Sequence, residues 1–140
     1  MVPYVVPFGF LFVLAALRLH PRLAARYTLV DAAAWSLSAL LVMTGLAHFI
    51  GLREDMIRMV PPLFPRPDLI VTVTGVLELA GAVALLPRRT RNITGIALAL
   101  LFVAMLPANI YAAQAGLTFG GEPAPPLVIR VPEQLVYIAL

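Results

Sequence analysis

Cysteine and lysine are absent from this 140-residue chain. The first absence excludes disulfides, iron–sulfur clusters, thiolate metal sites and thiol exchange. It therefore removes the cysteine-pair chemistry with which some small helical-bundle membrane enzymes handle quinones. The second leaves arginine as the sole basic side chain, which the base composition of a genome explains as readily as function does. Charge of either sign is also scarce, at 12% of residues against about a quarter in soluble domains. What the chain has instead is apolar surface: 61% of residues are hydrophobic and the mean hydropathy is +0.96. Most of that surface must face lipid rather than water. A sequence pI near 10.0 resembles a nucleic-acid signal. The arginines, however, are spread over short turns between apolar runs, where membrane insertion requires them, so nucleic acid is not an expected partner.

The apolar runs cover residues 2–19, 32–52, 69–86 and 93–113. Each is about 18–21 residues, a length that suits a hydrocarbon core about 30 Å thick at about 1.5 Å per residue. The first run has no basic region before it and no small-residue cleavage site after it, so it does not read as a signal peptide. Residues 116–126 are rich in glycine and proline and read as a loop. The apolar stretch 127–140, with Pro132 placed to start a helix near Arg130, is too short to span and reads as a short or truncated final helix. The expected fold is all-α: one polytopic transmembrane bundle over 1–140, with four spans and that short C-terminal helix. Residues 1–31 form an extra helix and basic loop ahead of the main bundle at 32–140. Arginine counts set the orientation. Arg18, Arg22, Arg26, Arg88, Arg89 and Arg91 fall on one side, and Arg53, Arg58, Arg66 and Arg130 on the other. The bias places the N-terminus outside and the first and third loops in the cytoplasm of a bacterial-type cell membrane.

Glu78 is the most informative residue. It falls about 14 Å into the third run, near the bilayer midplane, where a lipid-facing charge costs at least a few kcal/mol. Its helical neighbours Thr74, Gly75, Gly81 and Ala82 are small, whereas Val73, Val76 and Leu77 lie on other faces. Small residues line close helix contacts, so Glu78 points into the bundle. Two readings follow: a proton-handling or ligand-binding carboxyl, or a neutral acid hydrogen-bonded to another helix for packing. His48 shares a face with Leu41, Thr44, Gly45 and Gly51 and reads either as a proton relay or carbonyl partner, or as an interfacial anchor. No metal site is expected, because His20 falls at the opposite end. Asn109 follows Pro107, which frees the carbonyl of Val103 and is expected to kink the helix. The amide either satisfies backbone groups or lines a cavity that the kink opens. Residues 53–68 interleave Pro61, Pro62, Pro65 and Pro67 with apolar side chains. No continuous helix can run through them, and they are too apolar for a free loop. They are expected to lie along the membrane surface or to fold back over the bundle as a cap, on the side of His48 and Asn109. Asn92-Ile93-Thr94 fits the glycosylation pattern but abuts the membrane on the cytoplasmic side, as a chance match would.

The segment Thr44-Gly45-Leu46-Ala47-His48-Phe49, followed by Arg58-Met59-Val60-Pro61-Pro62 and Pro65, resembles the first half of the DoxX-like integral membrane family. Thr74-Gly75-Val76-Leu77-Glu78-Leu79-Ala80-Gly81 with Leu85-Leu86 is similar to its glycine-flanked glutamate helix. Arg91, Gly95, Pro107-Ala108-Asn109, Arg130, Pro132 and Gln134 match the remainder, so the resemblance covers about 35–140. The short final helix, which carries Gln134, departs from that family's four-helix core. The family is named for a membrane subunit linked to thiosulfate oxidation with quinone as acceptor, and other members accompany redox enzymes. The resemblance implies a subunit of a redox-linked membrane complex with a quinone or lipophile pocket at Glu78. His48 and Asn109 would be hydrogen-bond partners, and Arg58 and Thr74 complete the candidate set. The alternative is a non-catalytic accessory subunit packed against other membrane subunits. A transporter is the weakest reading, since the chain shows no inverted repeat and one midplane charge.

Overall fold

The computed structural model describes residues 26–123 and six isolated positions ahead of them. The run expected at 2–19 lies largely outside the described residues, and the final helix expected after Pro132 lies wholly outside them. The described chain forms four helices in the order α1 (Leu29–Ala47), α2 (Arg53–Met59), α3 (Pro67–Ala84) and α4 (Arg91–Gln114), then a hairpin of β1 (Thr118–Phe119) and β2 (Glu122–Pro123). Three of the helices, α1, α3 and α4, are long and apolar enough to cross a membrane. The all-helical expectation therefore stands, with a minimal hairpin inside the stretch expected to be loop.

Local chemistry sets the ends of each helix. α1 starts three residues before the apolar run because Thr28 and Asp31 form a capping box. The Thr28 hydroxyl accepts the Asp31 N–H at 3.2 Å, and the Thr28 N–H donates to the Asp31 carboxylate at 2.7 Å. It ends earlier than the run does, with His48 as its C-cap and Gly51 in the left-handed region soon after. α2 is the structured part of the expected cap. It carries Glu54 and Asp55 in its first turn and Arg58 in its last, matching the helix dipole. Val60 turns extended as a residue before proline must. Pro67 occupies the first turn of α3, where its missing N–H costs nothing. α4 continues through Pro107. It closes at Gly116 with the Leu117 N–H bonded back to the Ala112 carbonyl, the six-to-one bond of a Schellman end. Gly120 and Gly121, both at positive φ, make the tight turn of the hairpin.

Packing runs outward from α3. Its partners in α1 descend in number as α3 ascends (Ser38 with Ala82, Thr44 with Glu78, His48 with Gly75), so the two helices are antiparallel. A Cβ on Gly75 would lie 2.5 Å from the His48 Cβ, and one on Gly45 would lie 2.8 Å from Leu79 Cγ. The backbones thus approach through paired glycine notches. On its other side α3 receives Leu98 of α4 against Gly81, where a Cβ would meet Leu98 at 2.6 Å. Leu37, Leu40 and Leu41 of α1, Ala82 and Leu85, and Leu98 and Phe102 of α4 form the buried core. Val73, Val76 and Leu77 of α3 are exposed, as are Ile93, Ile96, Leu100 and Val103 of α4. These are the faces that lipid or another subunit would cover.

Candidate functional site

Glu78 sits in the middle of α3, flanked by the two glycine notches at Gly75 and Gly81, and is buried at 3% exposure. The α1 residue that faces it is Thr44, whose hydroxyl lies 2.6 Å from Glu78 Oε2. The same hydroxyl is 3.1 Å from the Leu40 carbonyl of its own helix. This arrangement accommodates both protonation states of the acid. With Glu78 ionised, Thr44 donates to the carboxylate; with Glu78 neutral, the acid O–H donates to Thr44, which turns its own hydrogen to Leu40. A proton can therefore arrive or leave without breaking the helix contact.

The pair is tied to the cap by a chain of bonds. His48 Nδ1 lies 2.9 Å from the Thr44 carbonyl. A carbonyl can only accept, so Nδ1 is the donor in this bond. His48 is itself 3% exposed, its ring seated over Gly75. Arg53, at the start of α2, donates from Nη1 to the His48 carbonyl at 3.1 Å, and from Nη2 to Thr72 Oγ1 at 3.0 Å and the Asp68 carbonyl at 3.3 Å. One guanidinium thus bolts the cap to the ends of α1 and α3. On the outer side of α2, Asp55 is paired with Arg58 and accepts the Gly120 N–H at 2.7 Å, which anchors the hairpin to the cap. These two donors, the amide first, hold the Asp55 carboxyl below the usual aspartate value.

Of the residues singled out in the sequence, the structure brings together Glu78 and His48, with Thr44 and Arg53 added. Thr74 is bonded to the Ile70 and Val71 carbonyls of its own helix at 2.9 and 3.1 Å. Arg58 points to the exposed side of the cap, its side chain 60% accessible. Asn109 is half-buried in the last turns of α4 and has a bonding partner of its own. Thr44 escapes sequence reasoning because its partner is 34 positions away, although its i−4 spacing from His48 puts it on the right face.

A second polar centre lies at the other end of the bundle. Asp31, 2% exposed, accepts Arg88 Nε and Nη2 at 3.0 and 2.6 Å and Arg91 Nη1 at 2.8 Å, besides Thr28. Arg91 also donates to the Leu85 and Leu86 carbonyls, both at 3.0 Å, and so closes the turn between α3 and α4. The carboxylate pushes the Arg88 guanidinium further above its ordinary value. The cue in the sequence was Thr28-x-x-Asp31, a capping pattern that lies ahead of the apolar run.

Among known proteins, a family model described as Domain of unknown function (DUF8561) matches residues 37–140, and the chain belongs to that family. The match contains Thr44, His48, Arg53 and Glu78 and begins after Asp31. No curated protein matches the chain, and no solved structure does.

Proposed function

We propose that this member of the DUF8561 family is a cell-membrane subunit of a redox-linked complex, with Glu78 as the group at which a lipophile of the quinone type is bound and protonated. The observation that carries the reading is the Thr44–Glu78 pair, held at 2.6 Å between two apolar helices and joined to the cap through His48 and Arg53. A carboxyl buried among transmembrane helices is a functional candidate by default, because lipid penalises it unless it has a task or a tight partner. Here it has a partner that serves either protonation state, as a group that loads and unloads a proton needs. Such a lipophile would supply a carbonyl oxygen to hydrogen-bond and the two-electron redox step, its electrons exchanged with a partner subunit. Glu78 would hold one of the two protons that such a two-electron reduction takes up, the second coming from water at the membrane surface. The cap built from α2 and the proline loop would shield that end of the bundle from water. The similarity to the DoxX-like family supports the same reading. The arginine distribution supports an N-terminus outside the cell, with the cap on that side.

The test is to purify the chain in mild detergent, alone and with its native partners, and to extract and identify the lipophiles that remain bound. A stoichiometric quinone lost in Glu78→Gln and reduced in Thr44→Val supports the reading. Retention of the same lipophile in Glu78→Gln and His48→Ala would sink it. The second reading, a non-catalytic accessory subunit, is favoured by the exposed apolar face of α4 at Ile93, Ile96, Leu100 and Val103. Its signature is stable co-purification with a larger complex and no bound lipophile.

A further inference from the structure

The Asp31 end of the bundle holds a cavity of about 220 Å³ between the start of α1 and the α3–α4 turn. Three arginines, Arg26, Arg88 and Arg91, and one aspartate line it, leaving a surplus of two positive charges. Asp31 is already saturated by Arg91, Arg88 and Thr28, so it does not neutralise what remains. Arg91 is 12% exposed and fully engaged in closing the turn, whereas the Arg88 side chain is 61% exposed. Arg88 directs Nε and Nη2 to Asp31 and the Arg26 carbonyl. Among the described residues its Nη1 has no partner, so that nitrogen still has two N–H groups to offer. Arg26 lies over the Tyr27 ring at 6.0 Å, and Tyr27 meets Trp35 edge-on at 4.8 Å, so the wall beside the cations is aromatic. Tyr27 stands just ahead of a membrane-length helix and Trp35 in its second turn, close to the level at which tyrosine and tryptophan sit among headgroups. Leu86, part of the lining, is an exposed apolar side chain, as are Leu29, Val30 and Ile93 in the first turns of α1 and α4.

We infer that this cavity binds a phosphate-bearing anion, with Arg26 and the free edge of Arg88 as its cationic contacts and the Tyr27–Trp35 pair as its wall. A guanidinium whose position is fixed by a buried carboxylate presents its remaining donors in a set direction, and phosphate oxygens match that fork. Basic pockets between transmembrane helices recognise headgroups by the same chemistry. The site is separate from Glu78, which lies within α3 and lines no part of the cavity, and it does not depend on the role assigned to that residue.

The experiment compares phosphatidylglycerol with phosphatidylcholine retained by the intact chain in mixed detergent micelles, read by native mass spectrometry. Inorganic phosphate is titrated against both, and the melting temperature is followed in parallel. Wild type is expected to retain the anionic lipid about tenfold over the zwitterionic one. Arg26→Gln, which touches no part of the Asp31 staple through its side chain, should erase that preference with an unchanged melting temperature. Arg89→Gln, an exposed neighbour outside the cavity, should leave it intact. A lipid preference that millimolar phosphate does not displace identifies a headgroup as the source. Protection from melting by inorganic phosphate, lost in Arg26→Gln and without lipid preference, identifies a soluble phosphate. Equal retention of both lipids with no effect of phosphate overturns the inference, as does a preference that survives Arg26→Gln.

Discussion

The two ends of the bundle solve the problem of polarity beside a membrane in opposite ways. At the Asp31 end, charge meets charge: one buried carboxylate binds two guanidiniums, and one of them, that of Arg91, closes the α3–α4 turn. From the cap inward the buried groups are held by carbonyls and hydroxyls, with His48, Thr44 and Glu78 linked in a chain that, among the described residues, contains no salt bridge. The first arrangement fixes geometry and has little slack, because removing the carboxylate strands the mostly covered Arg91 guanidinium. The second can change its protonation state and keep its contacts. Rigidity sits at one end and adaptability at the other, and the family match covers the adaptable end entire while beginning after Asp31.

Breaking the rigid end should cost most. Asp31→Asn leaves Arg91 buried without its counter-charge and is expected to destabilise the fold by about 3–5 kcal/mol, read as a lowered midpoint in denaturant or mixed-micelle unfolding. An effect below about 1 kcal/mol would place the cluster among ordinary surface pairs. Gly75→Ala should be next. Its new methyl meets the Cβ of His48, which is not the end of a flexible side chain, so the helices must separate at an expected cost of about 1–3 kcal/mol. The same substitution should loosen the Thr44–Glu78 pair, visible as faster amide exchange around residue 44. The smallest effect sharpens the contrast at the hairpin. The Asp55 carboxyl, held below its usual value by Gly120 and Arg58, stabilises the fold at pH values above the ordinary 3.8. That contribution is lost as pH falls through the lower folded value. Protection of the Gly120 amide should therefore persist through mild acid and collapse only below the ordinary aspartate range. Asp55→Asn should remove that pH dependence while leaving the Glu78 region unchanged.

The three described helices that are long and apolar enough to cross a membrane were legible, because length and hydropathy are properties that a sequence displays directly. Helix ends were less so. The apolar run at 32–52 overshoots α1 at one end and undershoots it at the other, since capping by Thr28 and Asp31 and the turn at Gly51 obey hydrogen-bonding rules rather than hydropathy. The inward aim of Glu78 could be read from its small neighbours at helical spacing, because that pattern is local. Its bond to Thr44 could not, as nothing in one sequence states which residues 34 positions apart come together. Arg58 and Thr74, singled out by motif, have their hydrogen bonds committed to Asp55 and to the α3 backbone. The Asp31 centre was overlooked because an acid at the border of an apolar run looks like ordinary flanking polarity until its two arginines, 57 and 60 positions away, are brought to it.

The glycine notches carry a mechanical consequence. Gly45 and Gly75 leave no room for a side chain, so sliding α1 past α3 by one turn, about 5.4 Å, would drive a larger residue into a slot that admits none. The pair has a single register, and the crossing works as a ruler that fixes how deep the acid lies beneath the cap. A bilayer that thickens or thins must then be answered by tilting the assembly as one body. The distance from water to the carboxyl would stay constant while everything around it leans.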